Sequence, residues 1–190
     1  MKNKIIFLDL DGVLNSEDSR DSMIRLWELN NSFKSRDEFG FLFDERCVNW
    51  LRYIIMKTGA KIVISSTWRS KGLNRMKEMW AKRGLPGEVI DITPVTIDPA
   101  IVELYAATNN EADRGYEIQE WIDINQPQKY CIIDDQNDML DHHNFVKVDK
   151  RFGISKLDAN KVIALLNQDD LKPGQTFDYK TNSENGYLIP

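Results

Sequence analysis

Histidine is nearly absent from this 190-residue chain; the two copies, His142 and His143, are adjacent and late. A histidine-based triad has little to draw on, although the count alone does not strike it out. Cysteine is equally scarce. Cys47 and Cys131 each lie in an apolar stretch and form no CxxC pair. That predicts buried free thiols in a reducing cytosol, not a disulfide framework or a zinc ribbon. GxGxxG, GxxxxGK[ST], HExxH and GxSxG are all missing, and simple dinucleotide, P-loop, zincin and hydrolase-elbow readings go with them. No run of eighteen apolar residues is present, so no membrane span is expected. The early run Ile5–Leu8 stops at Asp9, too short for a signal-peptide core, and a cytoplasmic location is the expectation. Lys and Arg total 25 against 30 Asp and Glu, a net charge of −5. That excludes a strongly basic nucleic-acid coat but not a local basic patch.

What is present is ordinary in bulk and unusual in one respect. Apolar residues make up 42% and charged residues 29% of the chain, as in a globular protein of one domain. Of the 30 acids, 19 are aspartate, a residue that serves turns and caps or does chemistry. Lys4–Leu8 reads as a strand buried on both faces. Residues 15–40 are polar and irregular, with a short helix near Met23–Leu29. Asp44 caps a helix carrying Cys47, Val48, Leu51, Ile54 and Ile55, and Gly59 stops it. Further strands are expected at 62–64, 89–92, 130–133 and 145–148. Helices are expected over Leu73–Trp80, from Asp113 through Ile122, and after a Ser155/Asp158 capping box. Residues 93–113 form a long connection with a helical turn at 100–107, and 168–190 a polar tail. Strands alternate with helices. This predicts an α/β, three-layer, Rossmann-like sandwich with a mostly parallel five-stranded central sheet.

Three strands end in polar clusters, and the fold rule brings such ends to one rim. Asp9-Leu10-Asp11-Gly12 follows the first strand. Residues i and i+2 of an extended segment project to one side, and the glycine lets the chain turn away; an Asx-turn is the plainer alternative. Asp134-Asp135 follows a later strand. Four carboxylates gathered there repel by roughly 4 kcal/mol per pair at ~4 Å and an effective dielectric of ~20. Such a group calls for a cation, and an oxygen-only set with room for water and phosphate suits Mg²⁺. Ser65, with Ser66 and Thr67, offers hydroxyls and backbone N–H groups at a strand-to-helix turn, as a phosphate cradle or a helix cap. Arg69 and Arg114 are the cationic candidates. Together these parts make a reaction: one aspartate attacks phosphorus, and a second protonates the leaving oxygen and then activates water.

The segments IIFLDLDGVLN, KIVISSTWR, RGYEIQEWI and YCIIDDQND, in that order over residues 4–148, resemble the haloacid-dehalogenase-type phosphohydrolase superfamily. SSTWR and RGYEI are similar to its small phosphatase-like domains associated with RNA-repair proteins. The resemblance implies a nucleophile at Asp9 and an acid/base at Asp11, whose carbonyl also meets Mg²⁺. It implies metal ligation by Asp134 and Asp135 and phosphate binding by Ser65, with Arg114 where most relatives carry lysine. It frames residues 1–167 as one phosphatase domain with little or no cap.

About 50 residues separate Asp11 from Ser65, and a core helix takes part of them, so residues 15–40 supply at most a small lid. An open site admits a polymer end. Residues 69–83 carry Arg69, Lys71, Arg75, Lys77, Lys82 and Arg83 against Glu78, a stretch that tracks a phosphate backbone or forms a solvated helix face. The expected partner is a phosphorylated substrate, a nucleotide or a nucleic-acid 3′-phosphate end; no obligate protein partner is evident. Alternatives are a small-metabolite phosphatase and a non-catalytic metal- or nucleic-acid-binding module. A signalling receiver domain places its acidic pair after the first strand, whereas here the adjacent pair comes late.

Overall fold

A computed structural model describes residues 4–30, 34–94 and 113–168. Five parallel strands make the central sheet: β1 (Lys4–Leu8), β4 (Lys61–Ile64), β5 (Val89–Ile92), β6 (Lys129–Asp134) and β7 (Phe145–Lys147), in the order β5-β4-β1-β6-β7. β1 is central because both its edges are used: Leu8 pairs with Ile64 on one side and Ile133 on the other. The chain leaves β1 toward β4 and later returns to its opposite edge with β6, so the strand order reverses at β1.

The strands are apolar on both faces because helices cover both. On one face, Ile6, Leu8, Ile62, Ile64, Cys131 and Ile133 pack against three helices: α2 (Glu45–Thr58), α3 (Leu73–Lys82) and α5 (Lys156–Asn167). On the other, Ile5, Phe7, Val63 and Ile132 pack against Ile118 and Trp121 of α4 (Asp113–Asn125). The Phe7 and Trp121 rings meet edge to face, with centroids 5.3 Å apart. Each large apolar side chain removed from water here contributes roughly 1.5–3 kcal/mol. The expected α/β sandwich with a parallel five-stranded sheet is the observed architecture.

The stretch between β1 and α2 differs from expectation. α1 runs from Glu17 to Leu29, starting well before Met23. Its start is set by a cap, not by apolar periodicity: Ser16 Oγ accepts the Ser19 N–H, and Glu17 and Asp18 lie at the positive end of the helix. α1 buries none of its residues. After it, β2 (Arg36–Asp37) and β3 (Gly40–Phe41) form a short antiparallel hairpin, and Thr67–Lys71 forms a 3₁₀ turn. Two-residue strands carry no alternation to read. The expected turn at 100–107 and the tail beyond Gln168 lie outside the described residues. No helix among those described is long and apolar enough to cross a membrane.

Candidate active site

The residues one step outward from the paired Leu8, Ile64 and Ile133 are Asp9, Ser65 and Asp134, a row across three strand ends. Period-two alternation puts them on the face shared by Phe7, Val63 and Ile132, under α4. α4 starts close to the sheet rim because Gly115 has no side chain. A Cβ there would lie 2.9 Å from the Leu140 nitrogen and 3.0 Å from the Asp138 oxygen. The Gly115 N–H instead donates to that Asp138 carbonyl at 3.0 Å. This seat delivers Arg114 to the acids. One guanidinium nitrogen, Nη1, donates to Asp9 Oδ1 at 2.6 Å and to Asp134 Oδ2 at 3.0 Å.

Asp135 completes the group. Carboxylate oxygens of Asp9, Asp134 and Asp135 lie within 4.8 Å of one another. Gly12 allows this approach: a Cβ on it would sit 2.6 Å from the Asp135 Cγ, and its φ of +76° suits glycine. Burial pushes the Asp9 carboxyl above its ordinary value, Arg114 pulls it back, and Asp135 adds to the rise. Burial and then the Asp9 charge push Asp134 up to about 7 against the pull of Arg114. Burial also raises Asp135. The donor set fits a hard divalent cation. Oxygens around one Mg²⁺ are at most about 4.2 Å apart, a small contraction from the spacing here. Once ionised, the three acids outnumber the one guanidinium and leave negative charge that a cation matches.

The Asp11 side chain stands apart from that trio. Asn15 Nδ2 donates to its Oδ1 at 3.0 Å, and the Trp68 indole Nε1 donates to its Oδ2 at 2.7 Å. Ser65 is fully buried, and its Oγ has no hydrogen-bond partner. The Ser66 hydroxyl accepts the Trp68 N–H at 3.5 Å, opening the 3₁₀ turn.

Arg69, the other cationic candidate, makes its ion pair with Glu117 and none with those acids among the described residues. Its buried guanidinium donates to the Ser65 carbonyl at 2.5 Å and pairs with Glu117 of α4. A guanidinium buried that deeply is held by its partners, so this one ties the 3₁₀ turn to α4. The basic stretch is likewise largely spent on ion pairs. Arg83 pairs with Asp37, Lys82 with Glu38 and Glu78, and Arg75 with Glu38 and Glu78. These contacts clamp the β2–β3 hairpin onto α3. A cavity of about 570 Å³ between α1 and the hairpin is lined by Ile24, Trp27, Lys34, Ser35, Arg36 and Phe41, none of them one of the acids.

Sequence reasoning alone misses Trp68, Asn15, Glu117 and Gly115. The one available signal for Trp68 is a donor two residues beyond Ser66, matching the Asp9/Asp11 spacing. The scarce residues behave as their setting dictates. Cys47 and Cys131 are free and buried, and burial pushes the Cys47 thiol up to about 12. His143 takes the Leu140 N–H on Nδ1 and bonds Gln119 through Nε2. Burial and then His142 push its value down to about 4, so it is neutral at pH 7.

Neither the curated proteins nor the solved structures yield a match to this chain. A family model described as the HAD domain in Swiss Army Knife RNA repair proteins matches residues 5–159. That span runs from β1 into α5 and holds every residue of the rim described above, and the chain belongs to that family.

Proposed function

We propose that this protein is a Mg²⁺-dependent phosphomonoesterase working through an aspartyl-phosphate. One observation carries the reading: acids from two strand ends, Asp9 with Asp134 and Asp135, share one rim with Arg114, while Asp11 is held separately beside them. A deprotonated Asp9 oxygen attacks phosphorus, and the bond from phosphorus to the ester oxygen breaks. Protonated Asp11 gives its proton to that leaving oxygen. Water then attacks the phosphorus, its proton passes to Asp11, and the acyl-phosphate bond breaks to restore Asp9. Arg114 and the unpartnered Ser65 hydroxyl bind phosphoryl oxygens. Asp9, Asp134, Asp135 and the Asp11 carbonyl would hold Mg²⁺, which when bound neutralises charge on the transferring group.

Turnover of p-nitrophenyl phosphate with and without Mg²⁺, in wild type and Asp9→Asn, tests this. Mg²⁺-dependent release in the wild type and loss to background in the variant are expected; activity retained by Asp9→Asn rejects the reading. Thermal stabilisation by Mg²⁺ without turnover of any phosphate ester would favour the binding-module alternative. A phosphorylated nucleic-acid end is the substrate we favour, on the family's description as a domain of RNA repair proteins. The basic stretch adds little to it, because ion pairs consume most of its charge. Phosphate release from 3′-phosphorylated oligonucleotides, measured beside nucleoside monophosphates, separates a polymer end from a small nucleotide.

A further inference from the structure

We infer that Trp68 is a positioning residue: its indole N–H sets the orientation of the Asp11 carboxyl group, and the inference rests on the acid/base role proposed above for Asp11. A carboxyl group turns easily about its Cβ–Cγ bond, and one donor on each oxygen stops that rotation. Asn15 holds Oδ1 at 3.0 Å and Trp68 holds Oδ2 at 2.7 Å. The two donors have different origins. Asn15 belongs to the same turn as Asp11, with its N–H on the Leu10 carbonyl and its own carbonyl taking the Gly12 N–H, both at 3.0 Å. It moves with the aspartate. Trp68 comes from the segment after β4 and ties Asp11 to a second strand end. Ser66, two residues earlier, accepts the Trp68 N–H and caps the 3₁₀ turn that carries the indole. The indole is itself held. Its ring centroid lies 5.7 Å from that of Phe43, the Lys71 ammonium lies 4.9 Å over it, and a Cβ on Gly40 would be 3.3 Å from its Cη2.

The choice of donor has a chemical consequence. An indole N–H donates and cannot accept. It holds the carboxyl group without offering its proton a second destination, which a serine, glutamine or histidine there would do. Asp11 therefore gives its proton to the ester oxygen in the first step and takes one back from the attacking water in the second.

The test removes the N–H and keeps an aromatic side chain, as Trp68→Phe and as the sulfur isostere benzothienylalanine placed at position 68, which preserves the bicycle and its packing if phenylalanine does not. The readout is kcat/KM on p-nitrophenyl phosphate, whose leaving group needs little protonation, and on phenyl phosphate, whose leaving group needs more. We expect both variants to lose about tenfold on phenyl phosphate and much less on p-nitrophenyl phosphate, giving a steeper dependence on leaving group. Equal losses on both esters, or no loss on either, overturn the inference and leave Trp68 a packing residue. Failure of the underlying reading is separate, since it appears in Asp11→Asn as equal losses on the two esters, with no added penalty on phenyl phosphate.

Discussion

At the scale of single residues, Arg114 settles the electrostatics of the rim. One of its nitrogens bridges Asp9 and Asp134, both buried. Removing one partner from a buried ion group leaves charge without compensation and costs about 3–5 kcal/mol. Arg114→Ala should therefore lower the metal-free unfolding free energy by about 3 kcal/mol in urea melts, with Arg114→Lys losing less. Mg²⁺ should recover more stability in the alanine variant than in the wild type, because the cation replaces the missing positive charge. An alanine variant as stable as wild type would contradict this balance. Arg69 and Arg114 look alike in the sequence, as lone arginines near polar clusters, and what separates them is a third residue. Glu117 stands three positions after Arg114 on α4 and takes the Arg69 charge, leaving Arg114 to the acids. Long-range pairing of this kind has no signature in spacing. Trp68 and Asn15 are illegible for a related reason: neutral donors serve any buried acceptor, so their types announce no chemistry.

At the scale of elements, the turn after β1 does two jobs through Gly12: it accepts a positive φ and makes room for Asp135. Gly59, the cap of α2, offers a control, with a φ of +65° and open space within 4 Å of where a methyl group would stand. Gly59→Ala should cost about 1 kcal/mol from backbone conformation alone and leave Mg²⁺ response intact. Gly12→Ala must in addition push the Asp135 carboxylate out of a 2.6 Å contact, so Mg²⁺-induced thermal stabilisation and turnover should both be lost. An unchanged Mg²⁺ response in Gly12→Ala would place the cation away from Asp135. The elements that carry this geometry are readable where a strong local rule applies. β5 is expected at 89–92 and is there; the Ser155/Asp158 capping box opens α5; Asp44 and Gly59 bound α2. The first half of α1, the hairpin and the 3₁₀ turn escape because caps and ion pairs to α3 hold them, not apolar periodicity.

At the scale of the whole molecule, the parallel sheet brings acids distant in sequence to one buried edge, and stability should record that cost as a function of pH. In the metal-free protein, burial and the Asp9 charge hold the Asp134 value near 7, above its ordinary 3.8. A carboxyl group whose value is raised on folding binds its proton more tightly in the folded chain. Its contribution is therefore fully present below about pH 4 and is lost as pH rises through about 7. Asp9 and Asp135 are raised as well and act in the same direction. A cation at this rim has to displace that proton. Below pH 7 the apparent Mg²⁺ affinity should rise by about tenfold per pH unit for each proton released, and flatten above it. Calorimetric titration of Mg²⁺ between pH 5 and 8, with melting temperatures over the same range, reads both trends at once. Affinity that does not change with pH would mean that the ion sits elsewhere or that the rim is already ionised. Asp134→Asn separates the two, since it should weaken binding and flatten the pH dependence only if Asp134 is the residue that surrenders the proton.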